Sequence, residues 1–158
     1  MAGVSVADLL QRARYWGLKI TTAESCTGGM VAAALTDVAG SSDVFERGFV
    51  TYSNGAKMEM LGVSPQTLAA HGAVSVAVAR EMAEGALARS ATDLAVSITG
   101  IAGPGGSEFK PEGRVCFGLA RKGQDTTVET VEFGAIGRPK VRSAAMQHAL
   151  ELLMRAMA

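Results

Sequence analysis

Apolar and polar positions along this chain follow two periods, one helical and one of short buried strands. Leu9, Leu10, Ala13 and Trp16 recur at helical spacing, which predicts an amphipathic helix over residues 4–16 that stops at Gly17. Residues 18–23 form an apolar run of strand length, and Met30-Val31-Ala32-Ala33-Ala34-Leu35 opens a second helix reaching about residue 37. Ala39-Gly40 ends it, and Ser41-Ser42-Asp43 supplies turn chemistry. Alternation over residues 45–52 predicts the next strand. Asn54 is placed to cap a short helix holding Lys57, Met58 and Met60, and Ser64-Pro65 starts another, since proline is tolerated at a first helical position. Ser75 caps an alanine-rich helix over residues 76–89, and residues 93–99 read as a fully buried strand.

The pattern then breaks into a glycine-rich loop, Gly100-Ile101-Ala102-Gly103-Pro104-Gly105-Gly106-Ser107, which continues as polar sequence to residue 112. Two further strands, residues 113–120 and 126–133, meet at Lys122-Gly123-Gln124-Asp125 as a hairpin, and a final helix covers residues 139–157. Helices interleaved with strands, followed by a hairpin, predict a three-layer α/β domain on a mixed sheet. With 158 residues and neither repeat nor linker, the chain is expected to form one domain over residues 1–158.

Composition narrows the function. Fifteen basic residues balance fifteen acidic ones, with no basic run to track a nucleic-acid backbone, and the few aromatics are scattered rather than gathered into a stacking platform. Nucleic acid is therefore not an expected partner. The first residues lack the basic-then-apolar order of a signal peptide, so a cytoplasmic location is expected. Residues 60–79 carry no charge, but Gly62, Ser64, Pro65, Gln66, His71 and Gly72 interrupt them, which argues against a membrane span. Cys26 and Cys116 form no metal-ligand spacing and no expected disulfide, and no cluster of Asp, Glu, His and Cys supports a metal or other cofactor.

Candidate chemistry gathers at Thr22-Ala23-Glu24-Ser25-Cys26-Thr27-Gly28-Gly29, between an apolar strand and an apolar helix. Ser25 is placed at a strand-to-helix turn, where the free N–H groups of a helix start can hold an oxyanion or phosphate and glycines admit a ligand to the backbone. A serine in such a turn more often only caps a helix, so it needs a base. His71 and His148, the two histidines, sit in apolar helical contexts and form no serine-histidine-aspartate arrangement. Lys57 can replace them if burial keeps its amine neutral, and it leaves the second strand just after Tyr52-Ser53-Asn54. Thr99 ends the third strand and can hydrogen-bond into the site. The glycine-rich loop behind it can wrap an anion, although no Gly-Lys-Ser/Thr follows, which argues against a Walker A loop. Arg138 and Arg142, near the start of the last helix, can hold a phosphate or carboxylate. Glu24 either binds substrate, orients a base or assists the helix N-terminus.

These segments, together with Phe45-Glu46-Arg47-Gly48-Phe49-Val50-Thr51-Tyr52-Ser53-Asn54, His71-Gly72-Ala73-Val74-Ser75 and Ser97-Ile98-Thr99-Gly100, resemble the CinA C-terminal domain family over nearly the whole chain. The chain looks like the stand-alone form, without the separate N-terminal domain of longer members. The resemblance implies a three-layer α/β/α fold on a mixed, mostly parallel five-stranded sheet, and a homodimer. It further implies metal-independent hydrolysis of nicotinamide mononucleotide to nicotinate mononucleotide and ammonia. By motif, Ser25 and Lys57 are the implied catalytic pair, with Tyr52 and Thr99 in support. Arg142 is the implied supporting arginine, and with it Glu24, Cys26, Thr27, Gly28, Gly100, Gly103 and Gly105, read from the turn and the glycine-rich loop, are the expected substrate-binding positions. Two alternatives stand beside this: a nucleotide-binding sensor or partner module in competence and DNA-damage responses, and hydrolysis of another small amide.

Overall fold

The computed structural model describes residues 3–107 and 109–158. Five strands form one sheet in the order β2-β1-β3-β4-β5: β1 (Ile20–Glu24), β2 (Phe45–Val50), β3 (Leu94–Gly100), β4 (Arg114–Arg121) and β5 (Thr127–Glu132). β1 pairs parallel with β2 and β3, whereas β3–β4 and β4–β5 are antiparallel, so β4 alone runs against the rest. Among the described residues six α-helices cover the faces: α1 (Val6–Trp16), α2 (Met30–Thr36), α3 (Asn54–Leu61), α4 (Pro65–His71), α5 (Val76–Ala88) and α6 (Arg138–Ala156). The three-layer α/β arrangement on a mixed sheet, mostly parallel in strand direction, is as expected.

Alternation along the strands separates two cores. Leu94, Val96 and Ile98 of β3 pack with Leu9, Leu10, Val31, Leu35, Val141, Leu150 and Leu153, which places α1, α2 and α6 on one face. The other face presents the small residues Ala23, Ala95 and Ala120 to Val78, Met82 and Ala83 of α5 and Leu61 of α3. Small side chains let α5 lie close to the sheet: Ser97 Oγ donates to Ala79 O at 2.6 Å, and a Cβ on Gly118 would stand 2.5 Å from that same oxygen. α3 approaches α5 equally closely, since a Cβ on Gly85 would stand 1.9 Å from Leu61 O. This packing fixes the height of α3, and with it the base of the Lys57 side chain.

The topology also decides where a site can form. From β1 the chain crosses through α2 to β2, then returns past β1 through α3, α4 and α5 to β3. Crossovers leaving in opposite directions open a crevice at the carboxyl ends of β1 and β3, the usual binding position of an open parallel sheet. Ser25 follows β1 at that edge, Thr51 follows β2, and Gly100 ends β3.

Most boundaries lie within two residues of the sequence reading. One cap differs: Ser53, not Asn54, caps α3, its Oγ accepting from Ala56 N at 3.0 Å, and Asn54 is the first helical residue. Ser64 and Ser75 cap α4 and α5 as expected. Residues 1, 2 and 108, covered by the expected single domain, lie outside the described residues.

Candidate active site

Ser25 remains in register with the sheet as the chain turns, its N–H donating to Ile98 O at 2.9 Å. Two successive turns follow, with Gly28 N on Ser25 O and Met30 N on Thr27 O, each at 3.0 Å. They need positive φ at Gly28 (57°) and Gly29 (104°), which glycine adopts without a Cβ penalty. α2 therefore begins at Met30, and Ser25 precedes it by a loop rather than sitting on its first turn.

The N-terminus of α2 is already occupied by protein. The Glu24 carboxylate, fully buried, accepts from Thr27 Oγ1 at 2.6 Å, Val31 N at 2.9 Å and Ala32 N at 3.0 Å. A buried carboxylate is held there because it supplies acceptors to N–H groups at the helix start that would otherwise lack partners. Glu24 thus assists the helix N-terminus, one of the roles open to it from the sequence, and Glu24, Thr27 and Gly28 are not in the lining of the crevice. α2 likewise does not offer its first N–H groups to an oxyanion.

Lys57 projects from α3 toward the turn and is almost fully buried. Its Nζ lies 3.0 Å from Ser25 Oγ, 3.0 Å from Thr51 O and 3.4 Å from Tyr52 O. No carboxylate is among these partners. Burial therefore disfavours the ammonium and pushes the Lys57 pKa below that of an ordinary lysine. Burial acts oppositely on the neighbouring Cys26 thiol, whose pKa is pushed up to about 11.

A cleft of about 340 Å³ opens at this point, lined by Ser25, Cys26, Lys57, Tyr52 and Thr99, by Ala73 and Val74, and by the glycine-rich loop. Thr99 is buried and its Oγ1 donates to Ala73 O at 2.8 Å. Tyr52 is 63% exposed, and its hydroxyl accepts from Arg138 Nη2 at 2.9 Å. Gly100, Gly103 and Gly105 also line the cleft. The loop is held by Arg138 Nη1 on Gly103 O at 2.7 Å and by Gly105 N on Glu112 Oε1 at 2.6 Å.

The two arginines of α6 divide differently from the motif match. Arg142, expected at the substrate, donates from Nε to Cys26 O at 3.0 Å and lies behind the serine turn, outside the cleft lining. Arg138, one helical turn earlier, lines the cleft. The residue pattern offers both arginines and the family motif picks Arg142, but residues four apart share a helix face and only tertiary packing decides which reaches the crevice. Glu112 carried no sequence signal, since its partner is a backbone N–H set by the loop's fold. The histidines stand elsewhere: His148 packs on Phe117 and contacts Glu129 through Nε2 at 2.5 Å, and His71 ends α4. Among the described residues no group of three or more His, Cys, Asp and Glu could hold a metal ion, and no helix is long and apolar enough to cross a membrane.

The sequence profile of the CinA C-terminal domain matches residues 4–157. The chain belongs to this family. Its relatives include the nicotinamide-nucleotide amidohydrolase PncC of Escherichia coli, 56% identical over 139 residues that cover 87% of this chain and 83% of that protein. A CinA-like protein of Chloroherpeton thalassium is 51% identical over 87% of this chain, but the chain spans about a third of the length of that relative and of comparable competence-damage inducible proteins. The crystal structure of the competence/damage inducible protein CihA from Agrobacterium tumefaciens superposes with a TM-score of 0.89 at 45% identity, covering 99% of this CinA-family chain and 98% of that one.

Proposed function

We propose that this chain hydrolyses the carboxamide of nicotinamide mononucleotide, giving nicotinate mononucleotide and ammonia, with Ser25 as nucleophile and Lys57 as its base. The observation that carries the reading is the buried Lys57 amine 3.0 Å from Ser25 Oγ, without a carboxylate to hold it charged. The 56% identity to a nicotinamide-nucleotide amidohydrolase supplies the substrate class.

Lys57 Nζ takes the Ser25 proton as Oγ bonds to the carboxamide carbon. The C–N bond then breaks, with that proton leaving on ammonia. Water, deprotonated by the same amine, opens the resulting ester and returns the proton to Ser25. The oxyanion develops against the backbone of the serine turn and the glycine-rich loop, which line the cleft, and a well-aimed N–H donor there is worth about 3 kcal/mol. Arg138 and the loop hold the 5′-phosphate, and that remote binding positions the amide.

The test is product analysis with purified protein and chelator present, comparing nicotinamide mononucleotide with nicotinamide riboside. Release of ammonia and nicotinate mononucleotide, with kcat/KM for the riboside lower by about 100-fold, is expected from the loss of charge-assisted phosphate contacts. Nucleotide binding without release would instead make the chain a sensor.

A further inference from the structure

Lys110 makes a connection that the proposed chemistry leaves unused. It lies in the polar continuation of the glycine-rich loop, where Ser107 and Lys110 exchange backbone hydrogen bonds in both directions at 3.0 and 2.8 Å. The close turn leaves no room beside Gly106, where a Cβ would stand 2.3 Å from Lys110 O. From this turn the Lys110 side chain crosses to the α4–α5 connection, and its Nζ donates to His71 O at 2.5 Å and Val74 O at 2.6 Å. A lysine head bonded to two carbonyls is a directional tie between backbones, unlike a solvated surface lysine.

Both segments joined by this tie line the cleft: Gly103 to Ser107 on the loop, and Ala73 and Val74 on the connection. The connection is tied a second time by Thr99 Oγ1 on Ala73 O, and the loop by Arg138 on Gly103 O. Only Lys110 joins the two segments to each other among these bonds, so it sets the separation between them.

We propose that Lys110 is a positioning residue that fixes the width of the substrate cleft by strapping the glycine-rich loop to the α4–α5 connection. The proposal rests on the amidase reading for its kinetic consequence, but the strap itself does not. Lys110 touches neither Ser25 nor Lys57, so its loss weakens the hold on the nucleotide without altering proton transfer.

The experiment compares wild type with Lys110→Met, which keeps the aliphatic stem, and Lys110→Arg, which keeps a donor. It reads backbone hydrogen exchange in segments 71–75 and 103–113 alongside ammonia release from nicotinamide mononucleotide. Expected for Lys110→Met are faster exchange confined to those segments, an unchanged melting temperature, and KM raised about tenfold with kcat little changed, as both bonds of the strap are lost and the cleft loosens. Lys110→Arg restores most of both readouts. Wild-type exchange and KM in Lys110→Met, or a fall in kcat at constant KM, would overturn the proposal. Should wild type release no ammonia while Lys110→Met still loosens both segments, the amidase reading fails and the strap stands.

Discussion

Lys57 Nζ meets Ser25 Oγ across 3.0 Å while facing the carbonyls of Thr51 and Tyr52 at 3.0 and 3.4 Å. Three such partners suit an amine. In its neutral form, two N–H bonds directed at the carbonyls leave the lone pair aimed at the serine hydroxyl. In its ammonium form, a third N–H occupies that direction and the base is lost. The backbone following β2 therefore orients the base as well as burying it.

The pH dependence follows from this burial. The folded-state pKa of Lys57 is lowered, so kcat/KM rises with pH through an ionisation below the ordinary lysine value of about 10.5. Stability shares the sign: between the folded and unfolded pKa the unfolded chain binds more protons, so the fold gains stability as pH rises through that window. Below the folded pKa the cost of charging Lys57 is fully present. Lys57→Met removes the titration, and wild type should gain on this variant as pH increases. A stability difference independent of pH in parallel denaturant titrations would contradict this account.

Cys26 lies beside Ser25 but is not a competing nucleophile. With its pKa pushed up to about 11, the thiol stays protonated at neutral pH. Cys26→Ser is expected to retain most of the amidase activity, and brief iodoacetamide treatment at neutral pH to leave it intact. Rapid inactivation matched by alkylation of Cys26 would show a thiolate that burial does not allow.

The arginines separate by phenotype. Arg138→Met should raise KM for the nucleotide by on the order of tenfold or more at unchanged melting temperature, since the residue lines the cleft. Arg142→Met removes the bond to Cys26 O behind the turn, so it should lower the melting temperature and kcat together. Steady-state kinetics and calorimetry on both variants check the division, and exchanged phenotypes would restore the motif-based match.

Glu24→Ala should destabilise the fold by about 3 kcal/mol, because Val31 N and Ala32 N then lose their buried acceptor. Glu24→Gln costs less, since an amide oxygen still accepts. Denaturant midpoints for the two variants measure this, and a stable but inactive Glu24→Ala would return Glu24 to the substrate.

Much of this site was legible in the residues. The strand, turn and helix around Ser25, and the departure of Lys57 from β2, follow from apolar runs and glycine positions, which are local signals. The three-layer arrangement on a mixed sheet follows from helices interleaved with strands and a closing hairpin, whereas the strand order emerges only from the folded sheet. The roles of Glu24 and Arg138 were left among alternatives, and that of Lys110 was not legible. Glu24 looks the same in sequence whether it faces a ligand or the helix that follows, and only its distances to Val31 N and Ala32 N decide. Arg138 and Arg142 share a helix face, and Lys110 binds carbonyls 36 and 39 residues away. Contacts made to backbone leave no partner residue type to search for.

Ammonia release from nicotinamide mononucleotide by wild type and Ser25→Ala, both verified as folded, tests the central claim most directly. The account predicts steady release by wild type and a loss of about a thousandfold or more in Ser25→Ala, the scale of removing a catalytic nucleophile. Release by Ser25→Ala within a few-fold of wild type would contradict it.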